Sequence, residues 1–273
     1  MSKDNIMEQV LYATRMADFK HYNEKFSRLY FGNEFCQRLI PSVDDLDKAI
    51  DLALEKDLGF TLITPYVTNE GLKKLEMLLQ KLENKRPGSE VVFNDWGVLR
   101  RINEGYRKLE PVMGRLLHKM KRGPRLMKLM DILPQTTIDY FRSCSLDAPL
   151  YQRFLIENGV RRVELDNLLQ GIDIGLEGTG INCSLYIPYA YITTTRLCLA
   201  ISCDVHGEED EIGIFPCKKE CQEYAFYLTH PVIPVPLIRK GNTMFFKNEK
   251  IPEDEVMVKN SIDRLVIETE VPL

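Results

Sequence analysis

Short apolar runs alternate with amphipathic stretches through the first half of this chain, and that alternation restricts its fold more than any other feature. "SRLYFG" (27–32) reads as a strand. "SVDDLDKAIDLALEKD" (42–57) reads as a helix, with Ser42 as N-cap, Asp45 three residues on, and Val43, Leu46, Ile50 and Leu54 at helical spacing. "GFTLITPY" (59–66) is a second strand, followed by a helix over 68–85 with Leu72, Leu75, Leu78, Leu79 and Leu82 on one face. "EVVFND" (90–95) is a third strand and 96–109 a third helix. Two more strand–helix units are expected, 137–143 with 148–159 and 160–167 with 168–172.

A helix between successive strands carries the chain back to the same end of the sheet, so the strands run parallel. Six or more such units allow a closed barrel or an open doubly wound sheet. The phosphate-binding loops GxGxxG and GxxxxGK[ST] that mark many open sheets are absent. The expectation is therefore an α/β fold, a distorted TIM-like (β/α) barrel. "VIPVPLIRKGNTMFFKN" (232–248) reads as a hairpin turning at Gly241-Asn242, and 263–273 as a final strand. Residues 1–273 thus read as one barrel-like domain with a Cys-rich segment (183–221), an acidic loop (204–213) and a C-terminal β-hairpin region (232–273).

The chain is 44% hydrophobic and 28% charged, with a net charge of -4, which speaks against a general nucleic-acid binder. The N-terminus has no apolar h-region, and no stretch approaches the roughly 20 apolar residues of a membrane span. A cytoplasmic protein is expected. An odd number of cysteines, seven, in a reducing compartment argues against a disulfide framework.

Five of the seven, Cys183, Cys198, Cys203, Cys217 and Cys221, fall within 39 residues. Cys144, in "FRSCSL", reads as a buried small apolar residue. Cys217 and Cys221 stand four apart in the charged segment "FPCKKECQEY", which is no core strand, so a ligand role is the better reading. Zinc and iron–sulfur clusters both take thiolates. A CxxxCxxC motif fails because position 224 is Tyr224. Cys36 follows the first strand read from the pattern, and loops after barrel strands share one face. With Cys198 and the close pair, it is able to form a four-thiolate site assembled in space.

The same residues carry a family resemblance. Cys36 in "FGNEFC", Asn94-Asp95-Trp96-Gly97 as NDxG, Arg196-Leu197-Cys198 as RxC and Cys217–Cys221 as CxxxC resemble the collagenase-like peptidases, family thirty-two of the unclassified U peptidases. The likeness is to its UbiV branch, which acts with a paralogue, UbiU, in oxygen-independent ubiquinone biosynthesis. It spans 27 to about 248. NDxG alone is weakly specific; the CxxxC pair with RxC and a distant strand-end cysteine is more so. The resemblance implies a [4Fe-4S] cluster on Cys36, Cys198, Cys217 and Cys221. It also implies hydroxylation of a small molecule or of RNA bases without molecular oxygen, prephenate as oxygen donor, and a heterodimer with a paralogous family member. The chain departs from the pattern in the 18 residues between Cys198 and Cys217, which include Cys203 and the acidic run. Cys183 and Cys203 match no family position and rank lower as ligands.

Arg196, two residues from Cys198, is a candidate catalytic residue, against a structural ion pair. Asp95 is a candidate general base, against a helix N-cap at Trp96. Lys119, Lys121, Arg122 and Arg125 surround a Gly-Pro turn and suit an anion or RNA, against a solvated loop. Trp96 is expected in the core, and Tyr189 and Tyr191 on one face of a strand. Peptidase chemistry finds no GxSxG or HExxH, and His21, His118, His206 and His230 sit in no nucleophile arrangement. The alternative to a hydroxylase is a non-catalytic binding partner with a structural metal site.

Overall fold

The computed structural model describes residues 7–207 and 216–273. Seven strands, β1 (Glu8–Ala13), β2 (Arg28–Gly32), β3 (Gly59–Ile63), β4 (Glu90–Phe93), β5 (Glu110–Met113), β6 (Arg162–Asp166) and β7 (Asn182–Ile187), run in one direction around a barrel. Four more, β8 (Tyr189–Thr194), β9 (Phe226–Leu228), β10 (Leu237–Lys240) and β11 (Thr243–Lys247), form a separate antiparallel sheet in the order β8-β11-β10-β9. The last strand, β12 (Ile262–Glu268), returns to the barrel and closes it between β7 and β1. The fold is thus a closed eight-stranded parallel barrel, as the alternating pattern requires, with a small antiparallel sheet inserted after β7.

Helices α1 (Val43–Glu55), α2 (Asn69–Lys85) and α3 (Trp96–Gly105) follow β2, β3 and β4. Their apolar faces cover the outward side of the strands. Leu46, Ala49, Ile50 and Ala53 of α1 and Leu75, Leu78, Leu79 and Leu82 of α2 join Leu11, Leu29, Phe31, Phe60 and Val91 in one continuous core. The Ser42 hydroxyl caps α1, accepting from Asp45 N–H at 3.1 Å. The alternate residues point inward, where Val10, Tyr30, Ile63, Val92, Val112, Tyr186 and Val266 make a second cluster along the barrel axis. The N-terminal end of the barrel is filled by ion-paired side chains. Arg264 pairs with Glu90 (2.7 Å) and Glu8 (2.5 Å), and Arg28 with Glu8 (2.8 Å).

Several elements differ from the sequence reading. The strand expected at 137–143 is helical, part of α4 (Gln135–Arg142). Its β-branched Thr136, Thr137 and Ile138 resemble a strand, but the position beside β4 is already taken by β5. The pattern hides β5, because Glu110–Met113 contains Pro111 and follows directly on the helix expected over 96–109, of which α3 fills only Trp96–Gly105. α5 (Pro149–Glu157) forms within the expected 148–159, but 168–172 is not helical. The sequence pattern marks neither β1 nor β7. The hairpin turns at Gly241-Asn242 as expected, with Lys240 opposite Thr243. The final strand, however, belongs to the barrel and follows a short helix, α6 (Asp254–Lys259). Trp96 is 40% exposed instead of core, its ring against Phe93, Tyr151 and Phe154. Residues 208–213 of the expected acidic loop lie outside the described residues.

Candidate metal centre

Four of the seven cysteines meet at the side of the barrel mouth, where the antiparallel sheet leans on the loop after β2. Cys36 reaches there because β2 ends at Gly32, whose φ of +131° turns the chain. An ideal Cβ on Gly32 would lie 2.2 Å from the Ile63 carbonyl oxygen, so only glycine passes between β2 and β3. Asn33 then folds the next residues: its Oδ1 accepts the N–H groups of both Phe35 and Cys36 at 3.0 Å. Phe35 is fully buried between Tyr191 and Phe245, with ring centroids 5.7 and 5.2 Å away.

Cys198 follows β8. Its loop is held by the β10–β11 turn, since Thr195 N–H donates to the Asn242 carbonyl (3.1 Å) and Leu199 N–H to the Gly241 carbonyl (3.2 Å). The Asn242 side-chain amide joins three segments, its Nδ2 lying 2.7 Å from the Phe35 carbonyl, 2.6 Å from the Thr195 carbonyl and 3.1 Å from the Tyr66 hydroxyl. Cys217 and Cys221 are bent around Lys219, which is left-handed (φ 65°, ψ 40°). The buried Glu220 carboxylate accepts Ser202 N–H (3.1 Å) and Lys218 N–H (3.2 Å), tying the pair to the loop beyond Cys198. Gly241 makes room for Cys221: an added Cβ would stand 2.9 Å from Cys221 Cβ and 2.9 Å from Leu273 Cδ2.

Cys36, Cys198, Cys217 and Cys221 line one small cavity of about 40 Å³, together with Arg38, Arg196 and Glu220. The thiols feel one another. Burial first, then negative charge at Cys217 and Cys198, pushes the Cys36 thiol above its ordinary range. Burial also raises Cys198, and it raises Cys221 to about 11, with charge on Cys36, Cys198 and Cys217 adding to the latter. At Cys36, Cys198 and Cys221 the neutral thiol is thus favoured, and a bound cation would be needed to offset the charge of the thiolates. Among the described residues, no group of three or more His, Cys, Asp or Glu side chains is placed to hold a metal ion. The four cysteines do border one cavity, and four cysteine sulfurs are the kind of donor set a [4Fe-4S] cluster takes.

Other candidates fall elsewhere. Arg196 does reach the cavity, its guanidinium 5.8 Å from the Tyr66 ring centroid and 3.5 Å from the Val67 carbonyl. Asp95 does not. It caps α3, accepting Gly97 N–H at 2.8 Å through Oδ1 and Val67 N–H at 3.2 Å through Oδ2, so both oxygens serve the backbone, the capping role that the sequence reading set against a general base. Cys183 is buried in the outer face of β7, and Cys144 caps a short 3-10 turn at 145–147 with Sγ accepting Leu146 N–H. Cys203 is half-buried and off the cavity wall. The basic stretch is divided: Arg122 is buried against Asp166 (3.0 Å), while Lys119, Lys121 and Arg125 are exposed. His118 is buried with Nε2 2.7 Å from the Glu164 carbonyl, unavailable to a nucleophile. Tyr191 donates its hydroxyl to the Arg115 carbonyl (2.9 Å), a packing role and not a pocket wall. Sequence reasoning missed Asn33, Glu220, Asn242 and Gly241; the only local signal was the Gly-Asn turn itself.

No protein-family model and no curated protein matches this chain. Among solved structures, its fold is similar to that of the U32 peptidase Mk0906, with a TM-score of 0.49 and 10% identity, covering 100% of this chain and 97% of that one. It is also similar to a GH18 chitinase from Cycas revoluta in complex with (GlcNAc)3, with a TM-score of 0.43 and 9% identity, covering 95% and 94%. At such distances the fold class rests on the strand pairing described above, a closed parallel barrel with one inserted sheet.

Proposed function

We propose that this chain is an iron–sulfur protein whose Cys36, Cys198, Cys217 and Cys221 hold a [4Fe-4S] cluster, and that it works as an enzyme or enzyme subunit in oxygen-independent hydroxylation. The observation that supports the first part is the meeting of four cysteines from three separate segments on one cavity wall. The second part follows the resemblance to the UbiV branch of the U-peptidase family. On that reading the substrate is a small molecule or an RNA base, and a paralogous chain is the partner. No helix among the described residues is long and apolar enough to cross a membrane.

When bound, the cluster would supply one-electron chemistry. The chain's own residues do the rest. The Gly241–Asn242 turn holds two ligand loops in register, Glu220 orders the close pair, and the Arg196 guanidinium places a positive charge at the rim of the thiol cavity. That charge suits an anionic group brought up to it, while the Arg38 guanidinium favours the thiolate form of Cys36.

Anaerobic purification followed by iron and sulfide analysis and a visible spectrum tests the proposal. We expect about four irons and four sulfides per chain, with broad visible absorption lost in Cys217→Ala and Cys36→Ala and kept in Cys203→Ala. A colourless protein carrying one zinc would convert the site to a structural one and favour a non-catalytic binding partner. A protein that takes up neither metal anaerobically would overturn the proposal.

A further inference from the structure

The mouth of the barrel, where such folds usually place their chemistry, is filled here by its own side chains. Arg115, just after β5, is fully buried there. Its Nε and Nη2 bond the Glu34 carboxylate at 2.9 and 2.8 Å. Nη1 reaches Asp166 (3.1 Å) and the Tyr189 carbonyl (3.1 Å), and Nη2 also reaches Glu268 (2.6 Å). Its guanidinium carbon sits 3.9 Å from the Tyr186 ring centroid and 5.5 Å from that of Phe35. Asp166 and Glu268 are the last residues of β6 and β12, so they are fixed by the barrel wall. Glu34 and Phe35 are not. They belong to the irregular segment that ends in Cys36.

We infer that Arg115 is the positioning residue of the thiol site: one guanidinium fork locks the segment carrying Cys36 onto the rigid ends of β6 and β12. The side chain is suited to this in a way lysine is not. Five N–H donors in one plane serve Glu34, Asp166, Glu268 and a backbone carbonyl together, whereas an ammonium is a single point of charge. The locked segment also separates two larger cavities. Asn33 and Leu39 line one of about 1010 Å³, on the Cys217 side, which shares Arg38 with the other. Phe35, Cys36 and Gln37 line another of about 510 Å³, on the Arg196 side. A shift of this wall would therefore change the cavity shapes and the reach of Cys36 at once.

That Cys36 is a ligand rests on the function proposed above; that Arg115 places it does not. The test uses the full reduced chain and two variants. Glu34→Gln keeps the volume and removes the charge that the fork grips. Arg115→Lys keeps the charge and removes the fork. Iodoacetamide labelling of the native protein, read peptide by peptide by mass spectrometry, gives the rate at Cys36 relative to Cys203, with the urea midpoint confirming a folded barrel. Labelling at Cys36 is expected to quicken severalfold in both variants while Cys203 and Cys198 stay at wild-type rates. Anaerobic iron retention against a chelator is expected to weaken about 10- to 100-fold, the usual effect of removing a residue that orients a ligand. A general structural role would instead raise all three thiols together. Folded Glu34→Gln with an unchanged Cys36-to-Cys203 ratio overturns the inference, and this variant alone decides the matter if Arg115→Lys does not fold. A wild type that takes up no iron removes the cluster reading, and the labelling ratio then decides the role of Arg115 without it.

Discussion

Replacing Gly241 with alanine perturbs the thiol site through one added carbon, and the structure supplies its own control. Gly241 has φ +54°, and its Cβ would meet Cys221 Cβ and Leu273 Cδ2 at 2.9 Å, both part of a packed satellite core with Phe35, Tyr191 and Phe245. Gly88 has φ +81° with nothing within 4 Å of an added Cβ. Both alanines are forced into left-handed backbone, at roughly 1–2 kcal/mol. Only Gly241→Ala also overpacks a core, which typically adds about 1–3 kcal/mol. We therefore expect Gly88→Ala to lose roughly 1–2 kcal/mol and Gly241→Ala roughly 2–5 kcal/mol, the excess being the contact with Cys221. Equilibrium urea unfolding, compared at equal slope, measures both, and iodoacetamide labelling of Cys221 shows whether the clash is relieved by moving that thiol. Equal losses in the two variants would refute the claim that Gly241 is required for space.

Ser42→Ala removes the hydroxyl that caps α1 and should cost about 1 kcal/mol in the same unfolding measurement, with Ser42→Asp retaining most of it. His118 offers a pH test. Burial, aided by the Arg122 guanidinium, depresses it from 6.5 to about 4, so the folded chain binds fewer protons than the unfolded one between those values. The stability this histidine contributes is full above pH 6.5 and is lost as pH falls towards 4. At about 1.4 kcal/mol per tenfold change the loss amounts to roughly 3 kcal/mol. Urea midpoints of wild type and folded His118→Gln should thus converge over that window, and parallel curves would contradict the assignment.

The barrel itself was legible because its signal is local and repeated. β2, β3 and β4 are short apolar runs buried on both faces, and each is followed by a helix that buries one face and so shows its period in the sequence. β5 and β1 escaped for the opposite reason. β5 has an exposed Glu110 and Pro111 ahead of only two buried residues, and β1 opens on the polar Glu8-Gln9, so neither reads as an apolar run until its neighbours are known. The helix at 135–142 resembles a strand in sequence because β-branched residues favour a strand only where an edge is free to pair, and edge occupancy is a property of the whole sheet.

The candidate site divides along the same line. Spacing and charge singled out Cys217 and Cys221 as unsuited to a core strand, and the strand-end position singled out Cys36. What brings those thiols together is held elsewhere in the chain: a fork from Arg115, an amide from Asn242 and the absence of a Cβ at Gly241. None of these residues is close in sequence to Cys36. The cap that Asp95 gives α3 was readable in the sequence, but the Val67 N–H on its second oxygen is presented only once the turn after β3 has packed against it. Local chemistry is written in the order of residues, whereas a site built from three segments depends on contacts across more than a hundred positions, which packing alone decides.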